Sequence, residues 1–276
     1  MNKLVLLRHG QSKWNLENRF TGWKDVPLTE QGINEAKNAG YLIKKHKIKI
    51  DKIFSSLLIR ANNTAEIAVK AAGMEEFFVN NKLIYERTES LNERDYGDLV
   101  GLNKSETANK FGKDQVHIWR RSYDTPPPNG ESLKNVVERV SPYFTNEIEP
   151  LLLKGRNLLI AAHGNSLRAI MIRVGLYKSE EISSIELPTG SPLCLNFDNG
   201  VLKDNFYLKW LFIVNEIYII YNKFMYFNKD NNFFHGIMFH HFHDNNVHSK
   251  GQGSIDKDEF YNLVKFIGRV NILDAD

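Results

Sequence analysis

Cysteine is almost missing from this chain of 276 residues: Cys194 is the only one, so no intramolecular disulfide can form. Nothing therefore calls for an oxidising compartment. An excess of charge of one sign is missing as well. The 36 lysines and arginines against 33 aspartates and glutamates leave a formal net charge of +3, too balanced for a dedicated nucleic-acid binder. Long apolar runs are scarce. Residues 4–7 supply four apolar side chains before Arg8, where a secretory core needs roughly 7–15. The stretch 206–221 is broken by Lys209 and Glu216, where a spanning helix needs about 20 apolar residues. The expectation is a cytoplasmic chain with neither a membrane nor a nucleic-acid partner. What is present is ordinary for a globular protein: 42% hydrophobic and 25% charged residues, with no internal repeat.

Residues 1–208 alternate between strand-like and helix-like patterns. The run KLVLL at 3–7 stops at Arg8-His9-Gly10, as a buried strand would. A helix is expected after Thr29, with Ile33, Ala36, Gly40 and Ile43 on one face, then a strand over 51–55. Small apolar residues at 61, 65, 68 and 72, closed by Gly73, predict the next helix. Residues 82–85 read as a third strand, 104–111 as a helix, and a long helix starts near Ser132, to be kinked or ended by Pro142 and Pro150. NLLIAA at 157–162 is a fourth strand, followed by His163-Gly164-Asn165 and a helix that Gly175 stops. This rhythm predicts an α/β fold with a mostly parallel central sheet and helices on both faces.

Chemistry gathers at the strand ends. His9 follows KLVLL and His163 follows NLLIAA, each before a glycine. In open α/β sheets ligands bind beyond the carboxyl ends of strands, and a helix N-terminus there offers free N–H groups to an anion. Arg8 and Arg60 sit at comparable junctions, and a guanidinium fork matches phosphate oxygens. A lone histidine at a strand end is more often structural than catalytic, and a lone arginine at a helix start is merely unfavourable. Their coincidence points to an anion held between two imidazoles and two guanidiniums.

Five segments sharpen this reading: LVLLRHGQSKWNLENRFTGW, SSLLIRANNTA, LNERDYGDLVGLNKSETANKFG, IWRRSYDTPPPNGES and AAHGNSLRA. Taken in order over about residues 3–208, they resemble the histidine phosphatase superfamily, and more narrowly its cofactor-dependent phosphoglycerate mutases. The resemblance implies interconversion of 3-phosphoglycerate and 2-phosphoglycerate through a phosphohistidine, primed by 2,3-bisphosphoglycerate and without a metal. It also implies a homo-oligomer, dimer or tetramer. It places the nucleophile at His9, with Arg8, Arg60, Asn15 and His163 around the transferring phosphoryl group. His163 is expected to serve as a protonated donor. Glu93 is implied as the general acid/base, its pKa raised by neighbouring phosphate charge. The rest of the substrate falls to Arg94, Tyr96, Lys104, Arg120 and Arg121, with donors from Ser12, Thr21, Gly22, Gly164 and Asn165. Arg120 and Arg121 cannot point the same way on one helix, so one is free for substrate and the other for a neighbouring carboxylate.

The chain departs from the family in three places. Gln11 stands where many members carry glutamate. Residues 128–132 join two motifs directly where longer members insert a segment. Residues 209–276 form an atypical extension, holding most of the 16 aromatics and five histidines found in the last 72 residues. Lys209, Glu216 and Lys223 recur every seven positions, which predicts one polar edge on an apolar helix. His235, His240, His241, His243 and His248 read as polar, partly disordered chain rather than a metal site, and HSKGQGSIDKDEF as a degenerate calcium loop with too few carboxylates. Two other functions stay open here: a phosphomonoesterase using the same phosphohistidine with water as acceptor, and a non-catalytic binding protein acting through the tail.

Overall fold

The computed structural model describes residues 1–209 and, beyond them, the strand segments 211–214, 217–220, 226–227 and 234–235. The chain divides into two compact units, Met1–Trp210 and Leu211–Asp276. The first unit runs through strand β1 (Asn2–Arg8), helices α1 (Lys13–Leu16) and α2 (Glu30–Lys45), β2 (Lys52–Ser56) and α3 (Ile59–Ala72). A small hairpin, β3 (Phe78–Val79) with β4 (Lys82–Leu83), precedes β5 (Glu86–Thr88). Helices α4 (Lys104–Phe111), α5 (Lys113–Arg121), α6 (Leu133–Tyr143) and α7 (Glu149–Leu153) lead to β6 (Leu158–Ala162). Helices α8 (Gly164–Arg173) and α9 (Ser179–Ile182) and strands β7 (Pro192–Asp198) and β8 (Val201–Tyr207) complete it.

Six strands form the central sheet in the order β5-β2-β6-β1-β7-β8. Strands β1, β2, β5 and β6 are mutually parallel, whereas β7 and β8 are antiparallel additions at one side. The continuous apolar run of β1 follows from cover on both faces. Leu4 and Leu6 enter one core with Val136, Val140, Leu167 and Ile170 from α6 and α8. Val5 and Leu7 enter the other, with Ala39, Ile43, Ala65 and Ala68 from α2 and α3.

Local signals account for most boundaries. Thr29 caps α2 by accepting from the Gly32 N–H, and Ser132 forms a capping box with Asn135 at the start of α6. Gly73 ends α3 at φ 74°, a left-handed conformation that costs glycine nothing. Beyond Pro142 the backbone widens into a π-turn over Phe144–Ile148 and then resumes as α7, with Pro150 in its first turn where no N–H is needed.

Two expectations are corrected. Of residues 82–85 only Lys82–Leu83 form a strand, β4, and it belongs to the small hairpin; the central sheet takes β5, Glu86-Arg87-Thr88, instead. An edge strand with no large apolar residue carries no hydrophobic pattern to find. The apolar helix expected from residue 209 is replaced by strands β9 (Leu211–Val214) and β10 (Ile217–Ile220), paired antiparallel. Their β-branched and aromatic content favours extension over helix. Strands β11 (Tyr226–Phe227) and β12 (Phe234–His235) pair likewise. Glu216, Lys223, His240, His241, His243, His248 and the calcium-loop-like segment lie outside the described residues.

Helices α2 and α3 approach at Gly40, where a Cβ would lie 2.1 Å from the Ala68 carbonyl oxygen. Alanine in a helix interior normally gains about 1 kcal/mol over glycine. Here Gly40→Ala reverses the sign and destabilises the fold by about 1–3 kcal/mol through overpacking, measured as a lowered urea midpoint with an unchanged m value.

Candidate active site

The parallel pairing of β1 with β6 matches Arg8 to Ala162, so the next residues, His9 and His163, leave the sheet side by side. The His9 N–H extends the ladder by donating to the Ala162 carbonyl at 2.9 Å. Strand β2 pairs with the other edge of β6, Ser55 against Ala161, and brings Ser56 beside His163. Three adjacent strand ends thus deliver three side chains, all buried. The imidazole centroids of His9 and His163 are 5.0 Å apart and tilted by 57°.

His9 Nδ1 lies 2.7 Å from the Gly10 carbonyl oxygen. A carbonyl only accepts, so Nδ1 carries the proton and Nε2 keeps its lone pair. Arg60 Nε–H approaches that lone pair at 3.3 Å. Burial, then the charges of Arg60 and Arg8, hold His9 well below the usual histidine value of 6.5 despite the Gly10 contact. His163 is lowered in the same way by burial and by Arg60, His9, Arg8 and Arg139. The expected protonated His163 is therefore not the form this environment favours; a neutral ring is.

Arg60 lies at the start of α3, 1% exposed, with Nη1 and Nη2 donating to the Lys24 and Gly22 carbonyls. Burial brings its pKa down to about 10, which leaves it charged near neutrality. Arg8 donates through Nη1 to the Leu187 carbonyl at 2.6 Å, while its buried Nε has no partner.

Glu93 is buried, and its Oε1 accepts from the Arg94 N–H and from the backbone and side-chain amides of Asn165. Burial pushes this carboxyl up, but those hydrogen bonds and the Arg60 and Arg8 charges outweigh it, and its pKa lies below the ordinary range. The rise expected from phosphate charge is not a property of the protein alone. Arg139 of α6 fixes the segment from behind, donating to the carbonyls of Ser90, Asn92 and Glu93 and pairing with Glu131.

A cleft of about 380 Å³ is lined by Arg8, His9, Asn15, Arg19, Phe20, Thr21, Arg60, Glu93, Tyr96 and Lys104. A second, of about 200 Å³, is lined by Arg94, Arg120, Arg121, Ser122, Leu133, Asn165, Arg168 and Ser183. The sequence-derived set is thus divided: part lines one space and part the other, Asn165 and Glu93 are bonded between them, and Ser12, Gly22, His163 and Gly164 stand behind both linings. Arg121 pairs with Glu186, and Arg94 is wholly buried over the Tyr96 ring with Nε and Nη1 unpartnered. Ser12 spends its hydroxyl on Asn15 as the cap of α1. Gly22 lends Arg60 its carbonyl, and Gly164 opens α8, where a Cβ would sit 3.3 Å from Arg168 Nη1. Gln11 Oε1 accepts from the Thr29 hydroxyl, the acceptor role a glutamate would also fill.

Sequence reasoning passed over Ser56, Arg139, Arg168 and Arg19. Ser56, Arg19 and Arg168 lie inside the five segments; Arg139 announces itself in no local pattern, because the carbonyls it holds are about 46 or more residues away. Among the described residues no group of three or more His, Cys, Asp or Glu side chains is placed to hold a metal ion. Nor does any helix there have the length and apolarity to cross a membrane.

Residues 4–203 match the model of the histidine phosphatase superfamily, branch 1. The chain is 48% identical over 204 residues to a 2,3-bisphosphoglycerate-dependent phosphoglycerate mutase of Parvibaculum lavamentivorans, covering 73% of this chain and 94% of that protein. It is 52% identical over 200 residues to the mutase of the same name from Nitrobacter hamburgensis, covering 72% and 94%. Among solved structures, a mycobacterial glucosyl-3-phosphoglycerate phosphatase superposes with a TM-score of 0.61 at 26% identity, covering 71% of this chain and 93% of that one.

The lowered pKa values of both histidines make stability depend on acid. Below the unfolded value of 6.5 the unfolded chain binds protons that the folded chain refuses, so stability falls with falling pH until the folded values are reached. Glu93 adds to the same trend below 4.5. Urea midpoints should drop from about pH 7 to pH 5, and His163→Gln should flatten that slope.

Proposed function

The chain belongs to the histidine phosphatase superfamily and, within it, to the 2,3-bisphosphoglycerate-dependent phosphoglycerate mutases; on that premise we infer that it interconverts 3-phosphoglycerate and 2-phosphoglycerate through a phosphohistidine. The observation that carries this reading is the His9 ring at a cationic cleft, tethered through Nδ1, with its Nε2 lone pair beside Arg60 and its centroid 5.0 Å from that of His163. Arg8, Arg19, Arg60 and Lys104 around one small space, with Arg8 Nε unpartnered, suit a small polyanion such as 2,3-bisphosphoglycerate. When bound, that primer supplies the phosphoryl group that loads His9.

Transfer then divides into two steps of lower barrier. From the loaded ring, the substrate hydroxyl oxygen attacks phosphorus and its proton passes to the Glu93 carboxylate. The P–N bond breaks, and its electron pair returns to His9 Nε2. In the complementary step Nε2 attacks a phosphorus, the P–O bond breaks, and Glu93 returns the proton to the alkoxide. The lowered pKa of Glu93 supports a residue that begins the cycle as a base. Arg8 and Arg60 offset the charge on the phosphoryl oxygens, with Asn15 and Thr21 beside them. Asn165, through its backbone and side-chain amides, and the Arg94 N–H hold Glu93 in place, with Gly164 leading the chain into Asn165.

Tyr96 and Lys104 take the remaining anionic end, with Arg120 and Arg121 bordering the adjoining space. Burial lowers the Lys104 pKa, to which the Arg120 charge contributes, and a substrate anion would relieve that repulsion. Ser12 and Gly22 act through Asn15 and Arg60. The reading includes a cytoplasmic, metal-independent enzyme, assembled as a homo-oligomer without nucleic-acid or membrane partners. The net charge of +3 supports the absence of nucleic acid, and exposed Leu57, Ile59 and Ile84 support contact between copies.

Hydrolysis of a phosphomonoester by the same phosphohistidine is the second reading, favoured by the fold likeness to the mycobacterial phosphatase. A coupled assay on 3-phosphoglycerate, with and without 2,3-bisphosphoglycerate, separates the two. Primer-dependent appearance of 2-phosphoglycerate is expected; primer-independent phosphate release alone would make the protein a phosphatase. His9→Ala should lose both activities. Glu93→Gln should lower kcat by about 10²-fold or more with KM little changed, and the opposite pattern would leave Glu93 a binding residue only.

A further inference from the structure

The two imidazoles have different partners. His9 is fixed through Nδ1 by a carbonyl, which leaves Nε2 to face the reaction. In His163 the occupied nitrogen is Nε2, 2.7 Å from the Ser56 hydroxyl oxygen, and Nδ1 is buried with no hydrogen-bond partner. The Ser56 oxygen also accepts from the Leu58 N–H at 3.1 Å, so two contacts meet at one hydroxyl.

Hydrogen bookkeeping distinguishes the possible arrangements. If Nε2–H donated to Ser56, the hydroxyl would accept twice, its own hydrogen would lack an acceptor, and Nδ1 would be a buried bare lone pair. If the Ser56 O–H donates to Nε2, the hydroxyl accepts once and donates once. Only one group is then left over, an Nδ1–H. Buried polar groups are rarely orphaned without reason, so the arrangement that leaves fewer of them is favoured. On a ring whose centroid is 5.0 Å from that of His9, within the field of Arg60 and Arg8, such an unpaired Nδ1–H is a donor for an anionic oxygen.

Resting on the phosphohistidine chemistry above, we propose that Ser56 is a positioning residue that holds His163 as the neutral Nδ1–H tautomer, which then donates to a phosphoryl oxygen. The two rings thereby share one tautomer but offer opposite nitrogens: His9 a lone pair, His163 a proton. The surroundings of His163, with Arg60, Arg8, Arg139 and His9 acting on it, oppose a cationic ring. A tautomer lock supplies the donor without asking that ring to become charged. Ser56 is placed for this because β2 lies next to β6, and the Leu58 N–H it accepts from opens the helix that carries Arg60.

Nitrogen-15 NMR on the full-length, ligand-free protein with labelled histidine tests the tautomer directly. At neutral pH, His163 should show a protonated Nδ1 and an unprotonated Nε2. A proton on Nε2, or an imidazolium, overturns the proposal, whatever the enzyme assay shows. The second arm is Ser56→Ala assayed with primer and 3-phosphoglycerate. Its kcat should fall roughly tenfold or more with KM nearly unchanged, and the deficit should shrink as pH is lowered, because an imidazolium carries Nδ1–H in either case. A deficit constant across pH in a variant with wild-type circular dichroism would make Ser56 a packing residue and refute the lock. Should the variant fail to fold, the NMR measurement on the unmodified protein decides alone. Absence of mutase activity in the unmodified protein would instead refute the mutase reading, which the tautomer measurement does not touch.

Discussion

The site depends on one backbone contact, the parallel pairing of β1 with β6 that ends at Arg8 and Ala162. Register in a sheet with both faces buried is strongly specified, since a slip by one residue would turn every core side chain to the wrong face. Leu4 and Leu6 against one core and Val5 and Leu7 against the other leave no tolerance for such a slip. The same hydrophobic burial that stabilises the domain therefore fixes the His9 and His163 rings 5.0 Å apart. Where the rings stand is inherited from main-chain hydrogen bonds; the Gly10 carbonyl and the Ser56 hydroxyl then hold one nitrogen of each.

The second constraint is electrostatic. Arg8, Arg60 and Arg168 are held by carbonyl oxygens of Leu187, Gly22, Lys24 and Ile185 rather than by carboxylates. A dipole satisfies the geometry of a guanidinium without cancelling its charge, so the cleft keeps a positive potential although the whole chain is nearly neutral. The one carboxylate lining the larger cleft, Glu93, is pinned by three amide donors. That potential adds to burial in lowering both histidines, and to the amide hydrogen bonds in lowering Glu93.

Much of this was readable from the chain alone, for a local reason in each case. Apolar runs that stop at His9 and His163 announce buried strands with chemistry at their ends, and Thr29 and Gly73 mark helix ends by side-chain and backbone preferences that act over a few residues. Most of what was missed depended on distant partners. Glu86–Thr88 pairs with β2 at the sheet edge and has no apolar pattern of its own. The hairpin of β7 and β8 turns at Asn199-Gly200, both at positive φ, a turn signal present in the sequence and passed over. The partition of arginines between two spaces, with Arg121 drawn to Glu186, follows from where α5 meets residues 183–187. No spacing along the chain encodes that meeting.

Residues 183–187 have the outward look of a connecting loop, half of it open to solvent. Yet Arg121 grips the Ser183 carbonyl, Arg168 that of Ile185 and Arg8 that of Leu187. Alternate carbonyls of a five-residue stretch thus serve as the common anchorage of guanidiniums from three separate elements. An insertion or deletion, usually absorbed by a surface loop, would here shift the carbonyls that hold Arg8, Arg121 and Arg168, so the length of this stretch is tied to where three guanidiniums stand.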